Sequence, residues 1–175
     1  MRYPDSAVAW RADHHLLTAL RRCGADPYVA GAARALSWAG EHGAVWLAAG
    51  LAGAGADPVR RRAWMRATAL VAASHATSMV VKRVVRRPRP PVVPLVSTAG
   101  RHSFPSSHAA SATAAAFAFG ALLPGGPVPP MAAAMCVSRL VVGVHYPTDV
   151  VCGALLGGVM ARLGRGWSLA GVRDD

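Results

Sequence analysis

MAAAMCVSRLVVGVHYPTDVVCGALLGGVMARL, residues 131–163, is the stretch on which the reading of this chain turns. An apolar run from Met131 to Val144 meets a polar knot, His145-Tyr146-Pro147-Thr148-Asp149, and a second apolar run opened by Pro147 continues to about Leu163. Proline suits the first turn of a helix, so the knot reads as a turn between two helices. Arg139 stands six residues before His145 inside apolar sequence, where a cation is costly without an anionic partner. Asp149, in the first turn of the second helix, can reach back to the imidazole of His145. Such a hydrogen bond would fix the ring tautomer and stabilise the imidazolium formed when the other nitrogen acts as a nucleophile. A purely structural His/Asp contact is the alternative, and Arg139 beside the pair weighs against it.

Working outward, Pro124 to Pro130 (PGGPVPP) make a tight turn, preceded by an apolar run that Pro105 opens and that ends near Leu123. Lys82 to His102 is basic and carries Pro88, Pro90, Pro91 and Pro94, so it is a structured loop and cannot be a continuous helix. Before it lie an apolar run from Ala67 to Val81, the cluster Arg60, Arg61, Arg62 and Arg66, and a run from Ala35 to Ala56 broken only by Glu41 and His42. Residues 6–22 are too charged to cross a bilayer and fit an amphipathic helix lying on the membrane surface. The expected architecture is all-α: a multi-pass transmembrane helical bundle of about five spans, each near or slightly below the ~20 residues that hydrocarbon requires. Residues 1–34 form an interfacial region, 35–165 the membrane domain and 166–175 a polar tail. A soluble Ala-rich bundle is the competing reading, kept open by a mean hydropathy of only +0.31.

The 175-residue chain is 53% hydrophobic but 6% aromatic, a small-residue mixture that closely packed membrane helices favour. Its net charge of +11 could serve nucleic acid, acidic lipid headgroups or an anionic substrate; the apolar runs decide against nucleic acid. Of 19 Lys and Arg residues, Lys82 is the only lysine, which invites a chemical reason. Cys23, Cys136 and Cys152 are odd in number and scattered, and read as small apolar fillers. The opening MRYPDSAVAW lacks the layout of a secretory signal.

Two further patches place polar residues at helix ends. Lys82-Arg-Val-Val-Arg-Arg-Pro-Arg89-Pro90 would hold cations on a stiff loop, suited to phosphate oxygens, although a basic run after an apolar helix also serves as a headgroup anchor. In Ser103-Phe104-Pro105-Ser106-Ser107-His108, Pro105 near the first helical position would leave the amides of Ser106, Ser107 and His108 as orphan donors for an anion. Ordinary capping by Ser103 or Ser106 is the plainer alternative. His108 at a membrane helix terminus should face a polar cavity. His14, His15, His42, His75 and His102 match no pattern and are expected at the surface or in packing.

Together the three patches resemble the motifs of the type 2 phosphatidic acid phosphatase family, Lys-x6-Arg-Pro, Pro-Ser-Gly-His and Ser-Arg-x5-His-x3-Asp. The first is met by Lys82, Arg89 and Pro90, the third by Ser138, Arg139, His145 and Asp149. The second departs once: Ser107 stands where glycine is usual, and a glycine-only backbone angle there would be strained. The resemblance implies that Lys82, Arg89, Ser106, Ser107 and Arg139 hold phosphoryl oxygens. It further implies that His145 attacks phosphorus to form phosphohistidine, and that His108 protonates the departing alkoxide before activating water. It implies no cofactor and no metal, since fixed cations take that role; a His/His/Asp zinc site is the rival idea, disfavoured by the surrounding cations.

The partners implied are a membrane and a lipid phosphate, foremost a polyprenyl-linked cell-wall precursor such as decaprenylphosphoryl-5-phosphoribose. Undecaprenyl pyrophosphate, phosphatidylglycerol phosphate and phosphatidic acid stay open. A catalytically inactive membrane module that binds anionic lipid is the reading from another class. Counting Arg on either side of five alternating spans, the positive-inside rule leans toward a cytoplasmic active site in the plasma membrane.

Overall fold

A computed structural model describes residues 4–98 and 100–169, with residues 4–10 described through the backbone alone. Among the described residues the chain is helical, as expected, with no strand: α1 (Pro4–Cys23), α2 (Pro27–Ala39), α3 (Ala44–Ala56), α4 (Arg61–Val85), α5 (Ser107–Gly120), α6 (Val128–Val141) and α7 (Pro147–Ser168). Asp26 caps α2, its carboxylate accepting from the amides of Tyr28 (2.8 Å) and Val29 (3.1 Å), and Pro27 occupies the first turn.

The run from Ala35 to Ala56 is not one rod. It breaks at the polar pair inside it, where Glu41–Gly43 form a 3-10 turn with φ of 52° at His42 and 75° at Gly43. Two successive left-handed residues cannot continue a right-handed helix, so α2 ends and α3 starts in a new direction. Helix α7 runs on to Ser168, into the polar tail expected at 166–175; residues 170–175 lie outside the described part.

Helix α5 is the axle of the bundle and packs against α4, α6 and α7. It is enclosed on nearly every side, with Ala109, Ala110, Ala112, Ala114, Ala115 and Ala118 buried. Small side chains are what let helices approach so closely. The approach is tightest against α7: a Cβ on Gly153 would lie 2.3 Å from the Ser106 carbonyl oxygen, and one on Gly157 2.1 Å from that of Ala110. The two backbones therefore touch, and the Ser106 amide donates to the Asp149 carbonyl at 2.9 Å. Larger side chains, among them Trp46, Trp64 and Phe119, fill the core on the α3–α4 side of α5.

Helices α3 to α7 each bring one end to a common place: α3 starts beside His42, α4 finishes around Lys82, α5 starts at Ser107, α6 finishes just after Arg139 and α7 starts at Pro147. The chain thus alternates in direction, and the three polar patches meet. Among the described residues no helix is long and apolar enough to cross a membrane. The reasons are physical: α5 and α6 have 14 residues each, about 21 Å at ~1.5 Å per residue, against ~30 Å of hydrocarbon. The longer α4 carries Arg61, Arg62, Arg66, His75, Lys82 and Arg83.

Candidate active site

A cleft of about 550 Å³, its open mouth included, lies where those helix ends meet. Six of the eight residues singled out by motif line it: Lys82, Arg89, Ser107, His108, Arg139 and His145. Asp149 stands behind His145 and is fully buried.

Each cation is aimed by neutral groups. Lys82, in the last turn of α4, has Nζ 3.5 Å from the carbonyl oxygens of both His102 and Ser103. Arg89 donates from Nε to the Gly100 carbonyl and from Nη1 to the Val144 carbonyl, both at 2.8 Å. Arg139 donates from Nη1 to the Ser37 hydroxyl, and its buried Nε has no partner among the described residues. No carboxylate lies within ion-pair distance of Lys82, Arg89 or Arg139 among the described residues. Among the described residues, three cations around one cleft outnumber the single carboxylate, Glu41, that lines it with them, and the balance favours an anion.

The loop between α4 and α5 is held as well as turned. Arg86, at φ 54°, ends α4, and the Ser103 amide donates to the Arg87 carbonyl at 2.8 Å while the Ser103 hydroxyl donates to the Pro88 carbonyl at 3.0 Å. This pins the far end of the proline-rich stretch against its near end.

Burial pushes the His145 imidazole down to about 3, and Arg139, Lys82 and Arg89 push the same way, while Asp149 opposes them. The ring is therefore neutral and has a lone pair to offer at ordinary pH. Its Nδ1 is 3.6 Å from Asp149 Oδ2, too long for a hydrogen bond, and has no hydrogen-bond partner among the described residues. The Asp149 carboxylate is itself fixed at both oxygens: Oδ2 accepts from the Tyr146 amide and Oδ1 from Arg87 Nη1, each at 2.8 Å. His108 has Nε2 3.0 Å from the Ser37 carbonyl oxygen. A carbonyl only accepts, so Nε2 carries the hydrogen, and Nδ1 is the nitrogen left for proton exchange.

Several expectations need correction. Ser106 is not in the cleft: it is fully buried, its amide serves the Asp149 carbonyl, and its hydroxyl accepts from the Ala109 amide as the N-cap of α5. The helix starts two residues later than Pro105 suggested, at Ser107, and Ser106 spends its groups on capping and helix docking. Ser107 shows no glycine-only angle, since His42 and Arg86 are the non-glycine residues with positive φ among those described. It simply begins α5 with helical backbone. His42 and His75, expected at the surface or in packing, line the cleft with Glu41, their rings 6.4 Å apart. Ser37, Asp13, Arg87 and Thr148 carry no motif and were not legible as site residues; a serine in an apolar helix gives no signal until the fold sets it beside Arg139.

A cation-lined cleft in a helical bundle, holding the buried imidazoles of His145 and His108, is the setting of a phosphoric ester hydrolase of the helical kind. This chain belongs to the PAP2 superfamily, whose family model matches residues 63–171. It is 51% identical over 134 residues to a Mycolicibacterium smegmatis protein named decaprenylphosphoryl-5-phosphoribose phosphatase, covering 73% of this chain and 72% of the relative. A Mycobacterium tuberculosis protein of the same name is 45% identical over 144 residues, 78% of this chain and 79% of the relative. The fold resembles the crystal structure of a transmembrane PAP2-type phosphatidylglycerolphosphate phosphatase from Bacillus subtilis, with TM-score 0.58 and 22% identity over 89% of this chain and 94% of that one.

Proposed function

We propose that the protein is a membrane-embedded phosphatase that removes the 5-phosphate of decaprenylphosphoryl-5-phosphoribose through a phosphohistidine at His145. The observation that carries this reading is the gathering of Lys82, Arg89, Ser107, His108, Arg139 and His145 on one cleft, in a chain about half identical to phosphatases named for that substrate. The three cations and the Ser107 amide hold the non-bridging phosphoryl oxygens. His145 Nε2 attacks phosphorus, and the N–P bond forms as the P–O bond to the ribose breaks. His108, when it carries a second proton on Nδ1 opposite its Nε2–H, gives that proton to the departing oxygen and returns to the neutral form, then takes a proton from water, whose oxygen attacks the phosphohistidine and frees orthophosphate as the N–P bond breaks. The Ser37 carbonyl keeps the opposite edge of the His108 ring in place through both steps. Fixed cations neutralise charge that a metal ion handles in other phosphoryl-transfer sites. Glu41, His42, Ser97 and Thr98 on the cleft wall offer hydrogen bonds suited to ribose hydroxyls.

Membrane embedding is supported by an exposed apolar stripe on α7. Val151, Leu155, Val159 and Leu163 recur every fourth residue, and each is more than half exposed, which places them on one helix face and marks that face for an apolar neighbour. Its 22 residues rise about 33 Å, close to the ~30 Å of hydrocarbon. In this reading α3 to α7 make five passes as the core of a 35–165 membrane domain, with the bilayer thinned around α3, α5 and α6, which are shorter than the hydrocarbon, residues 1–34 lie at the interface, and the cleft opens to the cytoplasm.

Purified full-length protein in detergent should release phosphate fastest from decaprenylphosphoryl-5-phosphoribose in a panel with undecaprenyl pyrophosphate, phosphatidylglycerol phosphate and phosphatidic acid. EDTA should leave the rate unchanged. Faster turnover of another lipid would reject the substrate, and loss of activity in EDTA would reject the metal-free mechanism. Cys23, exposed at the end of α1, should be protected from an impermeant maleimide in intact cells; ready labelling would put the cleft on the outer face.

A further inference from the structure

Helix α1 lies outside the segment matched by the family model, yet one of its carboxylates reaches the nucleophile's surroundings. Asp13 is 3% exposed. Its Oδ2 accepts from Arg87 Nη2 at 2.8 Å and from the Thr148 hydroxyl, and its Oδ1 accepts from the Thr148 amide at 2.9 Å, an orphan donor of the first turn of α7. Arg87 is the centre of the arrangement. Its Nη1 donates to Asp149 Oδ1 at 2.8 Å and to the Thr148 hydroxyl at 2.7 Å, and its guanidinium lies 4.1 Å from the centre of the Tyr146 ring.

We propose that Asp13 is a positioning residue: by holding the outer edge of the Arg87 guanidinium it fixes the Asp149 carboxylate, and through it the ring of His145. The inference rests on the reading of His145 as the nucleophile. Held by Asp149 alone, a planar guanidinium can swing about that contact; two carboxylates on its two ends define its plane. Asp149 then presents Oδ2 to the imidazole from a single orientation. None of these groups lines the cleft, so the clasp bears on the ring's alignment and leaves the phosphate ligands alone.

The test is Asp13→Asn in the full-length protein, with phosphate release from the preferred lipid of the panel as readout. Asparagine keeps the shape and an acceptor for Thr148 but removes the charge. Its kcat should fall by roughly tenfold, because a nucleophile held off its line of attack loses orientation on which the barrier depends, while KM stays within about twofold. Arg87→Lys, which cannot bridge both carboxylates, should lower kcat in the same way, and the double variant should be no worse than Arg87→Lys alone. Leu17→Ala, which unpacks buried α1 without touching the clasp, should lower the melting temperature with normal kcat per folded molecule. A merely structural anchor predicts the opposite: Asp13→Asn would resemble Leu17→Ala. Wild-type kcat in Asp13→Asn, or losses that multiply in the double variant, would overturn the proposal. If Asp13→Asn does not fold, Arg87→Lys carries the same kcat-against-KM criterion. Full activity in His145→Ala would remove the underlying reading instead, so the two failures are distinguishable.

Discussion

The two sides of the His145 ring are built from opposite electrostatics, although both draw on the same five residues, Arg86-Arg87-Pro88-Arg89-Pro90. On the cleft side, Arg89, Lys82 and Arg139 are tied to carbonyl oxygens and a hydroxyl, partners that aim a cation without cancelling it. On the far side, Arg87 is bracketed by Asp13 and Asp149, and its charge is spent. Arg87 and Arg89 flank Pro88, and their partners differ, so a single segment supplies both a charge left open to the cleft and a charge used on architecture. The lesson is that a basic run near an active site is not one feature: what each arginine does depends on whether its partners are neutral or anionic.

The sharpest break in that comparison would come from removing the ring between the two sides. His145→Ala should abolish phosphate release and the acid-labile protein-bound phosphate trapped by rapid quenching; the intermediate assignment fails if such a species persists. Next, the cleft-side cations should matter in the transition state. Arg89→Gln and Arg139→Gln should each lower kcat by about 10²–10³-fold, the range for losing one preorganised charge-stabilising donor. A loss confined to KM would mean these arginines only capture substrate.

A smaller effect concerns acid stability. In the folded protein the His145 imidazole titrates far below its ordinary value of 6.5, so between about 6.5 and about 3 the unfolded chain binds a proton that the native chain refuses. Stability should therefore fall as pH is lowered through that window, and His145→Asn should flatten part of the slope in thermal melts. An unchanged slope would mean that the ring is hydrated and charged. The smallest contrast separates two adjacent serines. Ser106→Ala should cost ~1 kcal/mol of stability through the lost cap with KM unaltered, and Ser107→Gly should change turnover by less than twofold because its backbone is already helical.

These outcomes bear on what the chain discloses before folding. The three motifs pointed to Lys82, Arg89, His108, Arg139, His145 and Asp149 because each sits at an apolar boundary, and all but Asp149 line the one cleft. The helices were legible as apolar runs, and the break at Glu41-His42 was visible as two polar residues, though not the change of direction it imposes. Ser106 was misplaced because a proline one residue upstream looks like a helix start, whereas the hydroxyl that caps α5 decides where the helix begins. Asp13 and Ser37 were invisible for another cause. Their partners lie 74 and 102 residues away, and nothing local to an ordinary aspartate or serine records so distant a contact.

The contact of α7 on α5 through Gly153 and Gly157 has an implication for where such an enzyme tolerates substitution. Because backbone meets backbone, with the Ser106 amide latched to Asp149, the helix that carries His108 and the helix that follows His145 are held as one piece. The spacing between the two imidazoles is set by that contact, and a single methyl group at Gly157, well along α7 from them, should disturb the cleft by forcing α5 and α7 apart.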